Sequence, residues 1–217
     1  MKNLMNKAAI SFFSVYTKMK GYRFSIVKTM QENADSEKIF NAGGYKLPEP
    51  LQKEMEAYKT YAIKFIAYHH GKPVGTVGLA DPKVINRPYA LHGIDEKGEH
   101  YEIQSLVVSK EHRECSQLVL LGLFKEMYSW SIRNSVKSWI SLGLRQLYIT
   151  MRRYNKNICL VGINENNYKV PLATYLYENN IFDTCSIMKV EDFAPSRIFM
   201  KFIKKRAKKT GILNCLF

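Results

Sequence analysis

Several features that would narrow the function at once are missing from this chain. Its four cysteines lie far apart and form no CxxC pair, so the sequence indicates neither a disulfide framework nor a zinc site. No apolar run approaches the ~18 residues that a membrane span requires. The apolar patch near the N-terminus is broken by Ser11 and Ser14, and we expect no signal peptide. These absences predict a cytoplasmic protein with reduced thiols and no metal.

Acidic residues are also scarce, and both ends of the chain lack them. The chain carries 33 Lys and Arg against 19 Asp and Glu, a net charge of +14 at pH 7. Residues 1–20 contain four lysines and residues 201–217 contain six basic residues, with no acid in either segment. Such ends are either plain solvated termini or attractors of an acidic carrier protein, anionic lipid or nucleic acid. Charge alone leaves these alternatives open.

The periodicity of the sequence indicates one mixed α/β domain. Hydrophobic residues make up 46% and charged residues 24% of the chain, an ordinary globular balance. The predicted helices cover residues 4–19, 31–40, 116–134, 136–153 and 172–179. The predicted strands cover residues 22–28, 61–68, 74–79, 101–108, 158–163, 184–190 and 197–202. Without a repeat or linker, residues 1–217 are predicted to be a single domain with an N-terminal helix (1–20) and a basic tail (203–217).

Residues 101–124 (YEIQSLVVSKEHRECSQLVLLGLF) are the most informative stretch. They predict a buried strand, a short polar turn that carries Arg113, and a long apolar helix. This order places unpaired backbone N–H groups at a helix start, beside the end of a strand. Such a helix start is suited to an anionic group such as a pyrophosphate or the phosphate of a phosphopantetheine arm.

Two segments resemble the GNAT-fold N-acyltransferases. Residues 106–113 (LVVSKEHR) are similar to the strand end and arginine-bearing turn of that superfamily, and residues 173–182 (ATYLYENNIF) are similar to its late helix. The matching positions of the late helix are Ala173, Leu176, Tyr177, Glu178 and Phe182. The resemblance spans residues 61–202. It implies a mixed central sheet flanked by helices, here with an extra N-terminal helix and an inserted amphipathic helix over residues 136–153.

The phosphate turn departs from the usual pattern of the superfamily, Arg/Gln-x-x-Gly-x-Gly/Ala. Ser116 and Leu118 stand where small residues are usual, and a bulky Leu118 predicts a poorer fit to the pyrophosphate of acetyl-CoA. One subgroup, the acyl-homoserine-lactone synthases and related N-acyl amino acid synthases, also lacks those glycines and takes a long acyl chain from acyl carrier protein.

Two further segments are similar to that subgroup. Residues 70–79 resemble its strand hairpin and residues 102–108 its glutamate-bearing strand. Gly78 and Ser105 stand where the subgroup commonly carries arginine. These replacements argue against a lactone-forming substrate and favour a generic acyl transfer to an amine.

The resemblance implies a small set of site residues. Glu102 is the candidate base that deprotonates the attacking amine, with His100 as the alternative, and Tyr177 is the candidate acid for the leaving thiolate. The strand end would supply an oxyanion-binding N–H group, and the turn would hold the phosphate of the donor. The candidate donor-binding residues are Leu106, Val107, Val108, Arg113, Glu114, Cys115, Ser116 and Gln117. Each of the main candidates also has a structural alternative. Glu102 could be a solvated strand carboxylate, Tyr177 a core tyrosine and Arg113 a solvated residue at the helix start.

Three functions stay open on the sequence. The preferred one is an N-acyltransferase that moves a long-chain acyl group from the phosphopantetheine thioester of acyl-ACP, with acyl-CoA as the alternative donor, to the amine of an amino acid or similar small molecule. The second is an acetyl-CoA-dependent N-acetyltransferase. The third is a non-catalytic GNAT-fold module whose basic ends contact the inner face of the membrane or, less favoured, nucleic acid.

Overall fold

The computed structural model describes most of the first two thirds of the chain and shorter segments of the last third. The described residues are 2–43, 49, 53, 62–81, 100–144, 149, 152, 158–163, 185–191, 198–199 and 201–202.

Three α-helices and seven strands are described. The helices are α1 (Lys2–Met19), α2 (Met30–Gly43) and α3 (Ser116–Arg133), and a 3₁₀ turn over Lys110–Cys115 directly precedes α3. The strands are β1 (Tyr22–Ile26), β2 (Ala62–His69), β3 (Lys72–Ala80), β4 (His100–Val108), β5 (Ser138–Leu144), β6 (Ile158–Ile163) and β7 (Cys185–Glu191).

All seven strands form one mixed sheet in the order β1-β2-β3-β4-β5-β7-β6. Every neighbouring pair is antiparallel except β4 and β5, which are parallel and lie at the centre. The connection between these two strands contains α3, as a parallel crossover requires. The mixed α/β sheet expected from the sequence is therefore confirmed.

Helices cover the two faces of the sheet. α2 packs against β2, β3 and β4 on one face, and α3 packs against β1, β2 and β3 on the other. The residues of α3 that face the sheet are buried and apolar, including Leu118, Val119, Leu123 and Met127. α3 approaches β3 so closely that a side chain at Gly75 of β3 would place its Cβ atom 2.6 Å from Cγ1 of Val119.

The N-terminal helix is confirmed and is anchored by aromatic rings. Phe13 of α1 is fully buried and stacks on Phe199 with a centroid distance of 4.5 Å, and Phe202 meets it edge-on at 6.0 Å. Residues 198, 199, 201 and 202 are helical. The strand predicted over residues 197–202 is therefore wrong, because Ile198, Phe199 and Phe202 use a helical spacing to bury one face against α1.

The inserted amphipathic helix predicted over residues 136–153 is also wrong in its first half. Ser138–Leu144 form the central strand β5, which pairs with β4 on one side and with β7 on the other. Trp139 and Ile140 are buried in that strand. The helix predicted over residues 172–179 lies outside the described residues. None of the described helices is long and apolar enough to cross a membrane.

Candidate functional site

The two parallel central strands diverge after only four residue pairs. β4 and β5 pair from His100 with Ser138 to Ile103 with Ser141. Beyond that point β4 continues to Val108 along β3, and β5 continues to Leu144 along β7. The divergence opens a notch at the carboxyl ends of the two strands. Ligands of open α/β sheets commonly bind at such an edge.

A β-bulge in β4 lies where the strands begin to diverge. The register between β3 and β4 shifts between Thr76 and Gly78, so that Ser105 and Leu106 lie together opposite Val77. Ser105 has a φ of +54°, a left-handed conformation that L-residues seldom adopt outside glycine. Bulges of this kind re-aim the backbone and concentrate next to active sites.

The bulge also changes which side chains face α2. Gln104 and Ser105 both lie on the α2 side of the sheet, where Gln104 flanks Gly78 and Ser105 lines a pocket. After the bulge, Val107 faces α2 at Gly43, and Leu106 packs against the core on the α3 side. Two consecutive side chains of β4 thus point to one face at the notch.

The pocket on this face is a shallow depression that is open to solvent. Side chains of α2 form one wall, and residues of β2, β3 and β4 form the floor. Its lining residues are Ser36, Glu37, Phe40, Ala62, Lys64, Thr76, Gly78 and Ser105. Ser36 and Thr76 are joined by a buried hydrogen bond of 2.6 Å, and the Thr76 hydroxyl donates to the Phe65 carbonyl oxygen at 3.1 Å. The hydrogen bonds fix both hydroxyls in this wall.

The turn after β4 carries the residues expected to bind the donor phosphate. The Ser109 N–H donates to the Val74 carbonyl oxygen at 2.9 Å, and the 3₁₀ turn that follows includes Arg113, Glu114 and Cys115. Ser116 begins α3 and is half-buried, as is Gln117. The start of α3 therefore lies at the same edge of the sheet as the notch between β4 and β5.

Glu102 lies on the α2 face of β4, in the part of the strand that still pairs on both sides. It pairs with Ala80 of β3 and Ile140 of β5, and only 8% of its surface is exposed. It lies two positions before Gln104, about 7 Å away along the strand. The carboxylate is thus buried rather than solvated, and its role as a base stays a prediction.

The other expected proton carriers have different positions. His100, the alternative base, is buried at the start of β4, where its Nδ1 atom is hydrogen-bonded to the Ser138 hydroxyl. Tyr177, the candidate acid, lies outside the described residues. Leu106, Val107 and Val108 are half-buried and follow the bulge directly.

The Leu118 side chain does not lie at the phosphate-binding surface of the turn, where its bulk was expected to hinder a pyrophosphate. Its side chain is 7% exposed and belongs to the hydrophobic core beneath the sheet. It therefore points away from the surface of the turn, and its size gives no ground for a poorer fit to a pyrophosphate. The structure removes one argument against CoA as the donor.

A group of histidines supports the turn from the side. The His69 Nδ1 atom lies 3.1 Å from the His112 Nε2 atom, and the His112 Nδ1 atom lies 3.1 Å from the Ser109 hydroxyl. The His69 ring also stacks on Tyr22, with centroids 4.3 Å apart. Burial, followed by the neighbouring His70 and His112, lowers the pKa of His69. In the described part of the chain, no group of three or more potential ligands is placed to hold a metal ion.

The pKa of His69 predicts a loss of stability in mild acid. Because the unfolded state binds this proton more readily, the contribution of His69 is complete above its ordinary pKa of about 6.5 and is lost as the pH falls. Between pH 7.5 and 5.5, the melting temperature of the wild type should fall more than that of His69→Gln, measured by circular dichroism. Parallel pH profiles for the two proteins would contradict this expectation.

The sequence itself has no match among protein-family models, and no curated protein matches it. Solved structures do match. FeeM, an N-acyl amino acid synthase from uncultured soil microbes, superposes with a TM-score of 0.54 at 12% identity, covering 78% of this chain and 90% of FeeM. The chain has the GNAT N-acyltransferase fold.

Two acetyltransferases with this fold are similar to the same degree. The IAA acetyltransferase of Bacillus cereus gives a TM-score of 0.52 at 11% identity, covering 78% of this chain and 99% of the enzyme. The ribosomal-protein-S18-alanine N-acetyltransferase of Escherichia coli gives 0.51 at 9% identity, covering 78% and 93%. The resemblance inferred from the sequence is confirmed for the GNAT fold, and FeeM belongs to the subgroup that the sequence indicated.

Sequence reasoning does not find two features of the candidate site. Ser105, which stands where the related subgroup commonly carries arginine, forms the bulge, and Lys64 lines the pocket. The bulge has a weak sequence signal, since the apolar residues facing α3 change from an odd position (Ile103) to even positions (Leu106 and Val108). No comparable signal connects Lys64 to the residues of α2.

Proposed function

We propose that this protein is an N-acyltransferase that moves an acyl group from a phosphopantetheine thioester to the amine of an amino acid or similar small molecule. The observation that carries the proposal is the bulged strand β4, which diverges from β5 at the bulge and then leads into the turn that carries Arg113. A thioester carbonyl lying in this notch would be within reach of backbone N–H groups of β4. Such donors stabilise the oxyanion that forms when an amine attacks.

The proposed mechanism assigns few groups. Glu102 accepts a proton from the amine, directly or through water, and Tyr177 donates one to the departing thiolate. The N–H groups from Glu114 to Gln117 hold the phosphate of the donor together with Arg113. No metal is required, because the amine becomes a sufficient nucleophile once it is deprotonated.

We propose long-chain acyl-ACP as the preferred donor. The support is the similarity in fold to FeeM, an N-acyl amino acid synthase, and the basic ends of the chain. Phe124, Trp130 and Trp139 are the aromatic residues that the sequence offers as the lining of a long acyl tunnel, and they give less support. Phe124 and Trp139 stack at 6.2 Å and are buried, so these rings fill the space beneath β4 and β5.

The basic ends would attract an acidic surface in either of two settings. In the preferred one they steer an acyl carrier protein, an effect that acts over about a Debye length, ~8 Å at physiological salt. The alternative is contact with anionic lipid at the inner face of the membrane. α1 contributes to that alternative an exposed apolar stripe that includes Met5, Phe12, Val15 and Met19.

The competing function is acetyl transfer from acetyl-CoA. The burial of Leu118 favours it, because the turn is then less obstructed than the sequence suggested. Two of the similar structures described above are acetyltransferases.

A comparison of donors tests the proposal. Purified protein should transfer a long-chain acyl group from holo acyl-ACP to an amine at a higher kcat/KM than the acetyl group of acetyl-CoA, measured by release of free thiol. Equal or better turnover of acetyl-CoA would establish the competing function. No turnover of either donor, with a folded protein, would contradict the transferase proposal itself.

A further inference from the structure

The pocket between α2 and the sheet lies directly beside the bulge. Ser105, the bulge residue, lines it, as do Thr76 and Gly78 of β3. The pocket is on the α2 face, whereas α3 covers the opposite face. A molecule in this pocket would therefore approach the bulge from the side of the sheet on which Glu102 lies.

Lys64 and the bulge face one another across a glycine. Gly78 pairs with Lys64 of β2 on one side and with Gln104 of β4 on the other. The three residues form a row across the sheet, and the two outer Cα atoms are about 10 Å apart. Gly78 has no side chain, and the floor between the Lys64 stem and the bulge is formed there by its backbone, flanked closely by Ala62 Cβ and Gln104 Cγ. That span suits a small molecule with two polar ends.

Lys64 of β2 is a half-buried cation that lines the pocket. Its side chain is 16% exposed, and its ammonium donates to the Asn33 amide oxygen at 2.7 Å and to the Glu37 carboxylate at 3.3 Å. The Glu37 side chain is 48% exposed, and its Oε1 atom also accepts a hydrogen bond from the Asn33 amide at 2.9 Å. An ammonium has three donors, and the two described bonds leave one for a ligand. Glu37 is therefore the more exposed partner of the ion pair, and an anion in the pocket would compete with it for the Lys64 ammonium.

We propose that Lys64 binds the carboxylate of the acyl acceptor and that this enzyme selects acceptors that carry an anionic group near their amine. The inference rests on the proposed function. The carboxylate lies at the Lys64 ammonium, and the acceptor extends over Gly78, so that its amine points towards the bulge and Glu102. The Phe40 and Ala62 side chains contact its apolar part.

Matched acceptor pairs test the proposal. L-leucine and 3-methylbutylamine differ only in the carboxylate, as do L-phenylalanine and 2-phenylethylamine. The wild type should use each amino acid at a kcat/KM at least about 10-fold above that of its amine, the scale of one charge-assisted hydrogen bond. Lys64→Met keeps the apolar stem and should abolish this preference by lowering the kcat/KM of each amino acid to about that of its amine. Lys38→Gln, an exposed lysine of α2, is the matched control and should change neither rate.

A second variant leaves Lys64 in place. Glu37→Gln removes the competing carboxylate and should lower the KM for L-leucine severalfold, with little effect on 3-methylbutylamine. A purely structural Lys64–Glu37 pair would not give this opposite response, because loss of either partner would then act in the same direction.

Failure of the inference and failure of the proposed function give different results. If the wild type uses amino acids and amines equally and Lys64→Met changes nothing, the inference is wrong and the transferase function stands. If no donor is turned over, binding of L-leucine followed by calorimetry decides the question. Binding that is lost in Lys64→Met supports the carboxylate site without the transferase, and absence of binding contradicts it.

Discussion

Replacing Glu102 by glutamine should reduce the rate of acyl transfer about 10²-fold or more while leaving the fold intact. Gln is nearly isosteric with Glu, so the packing of this buried position in β4 is kept. The variant loses only the ability to accept a proton, and proton transfer by a positioned side chain contributes about 10² to 10⁴ in rate. The measurement is kcat with a saturating donor, together with the melting temperature of each protein.

Glu126→Gln provides the control for this substitution. Glu126 is also a largely buried carboxylate, with an 18% exposed side chain paired to Lys125 at 2.6 Å. It lies ten residues into α3, about 15 Å from the helix start. Its variant should keep the wild-type rate. A folded Glu102→Gln protein with a near-normal rate would assign Glu102 a structural role and leave His100 as the candidate base.

Substitution of Ser105 by glycine and by valine should have very different effects on stability and on rate. Glycine adopts a positive φ without strain, so Ser105→Gly should keep the rate and change the free energy of unfolding by less than about 1 kcal/mol. Valine, which is β-branched, is strongly disfavoured at φ = +54°. Ser105→Val should lose about 1–3 kcal/mol of stability and, if the bulge is lost, about 10²-fold in rate, the scale of a missing oxyanion donor.

Chemical denaturation and steady-state kinetics measure both effects on the same samples. A Ser105→Val protein that is as stable and as active as the wild type would show that the bulge neither stores strain nor aims the backbone. Loss of activity in Ser105→Gly as well would assign the effect to the serine hydroxyl in the pocket.

The parts of the fold that could be predicted are those with strong local signals. α3 shows a continuous apolar face from Leu118 to Met127, and its predicted bounds differ from the observed ones by one residue. The hairpin of β2 and β3 was indicated by alternation on either side of Gly71. In both cases the burial pattern follows the period of the element itself.

The errors lie where distant pairing decides the structure. Ser138–Leu144 have a spacing that suits either a helix or a strand, and the strand forms because β4 and β7 supply hydrogen bonds on both sides. The segment 197–202 is rich in aromatic and branched residues, which favour strands, yet its described residues 198, 199, 201 and 202 are helical and pack against Phe13 through Phe199 and Phe202. Intrinsic propensity is too weak to outweigh such contacts.

In the candidate site, too, the residues of one local segment could be predicted from the sequence and those brought together by distant packing could not. The turn around Arg113 and the glutamate of β4 could be identified by resemblance, since both belong to one continuous segment. The pocket could not, because Lys64 and Glu37 are 27 residues apart and meet only when α2 packs on the sheet. The bulge likewise depends on how β4 pairs with β3.

The central claim, acyl transfer to a small amine, is tested most directly by mass spectrometry of lipid extracts from a host that expresses the protein. Extracts from cells with the wild type should contain new N-acyl compounds whose masses equal a fatty acid plus an amine minus water. The same compounds should be absent, or reduced about 10²-fold, in cells with equal amounts of Glu102→Gln. Soluble, folded wild-type protein without any N-acyl product above the level of the variant would contradict the account.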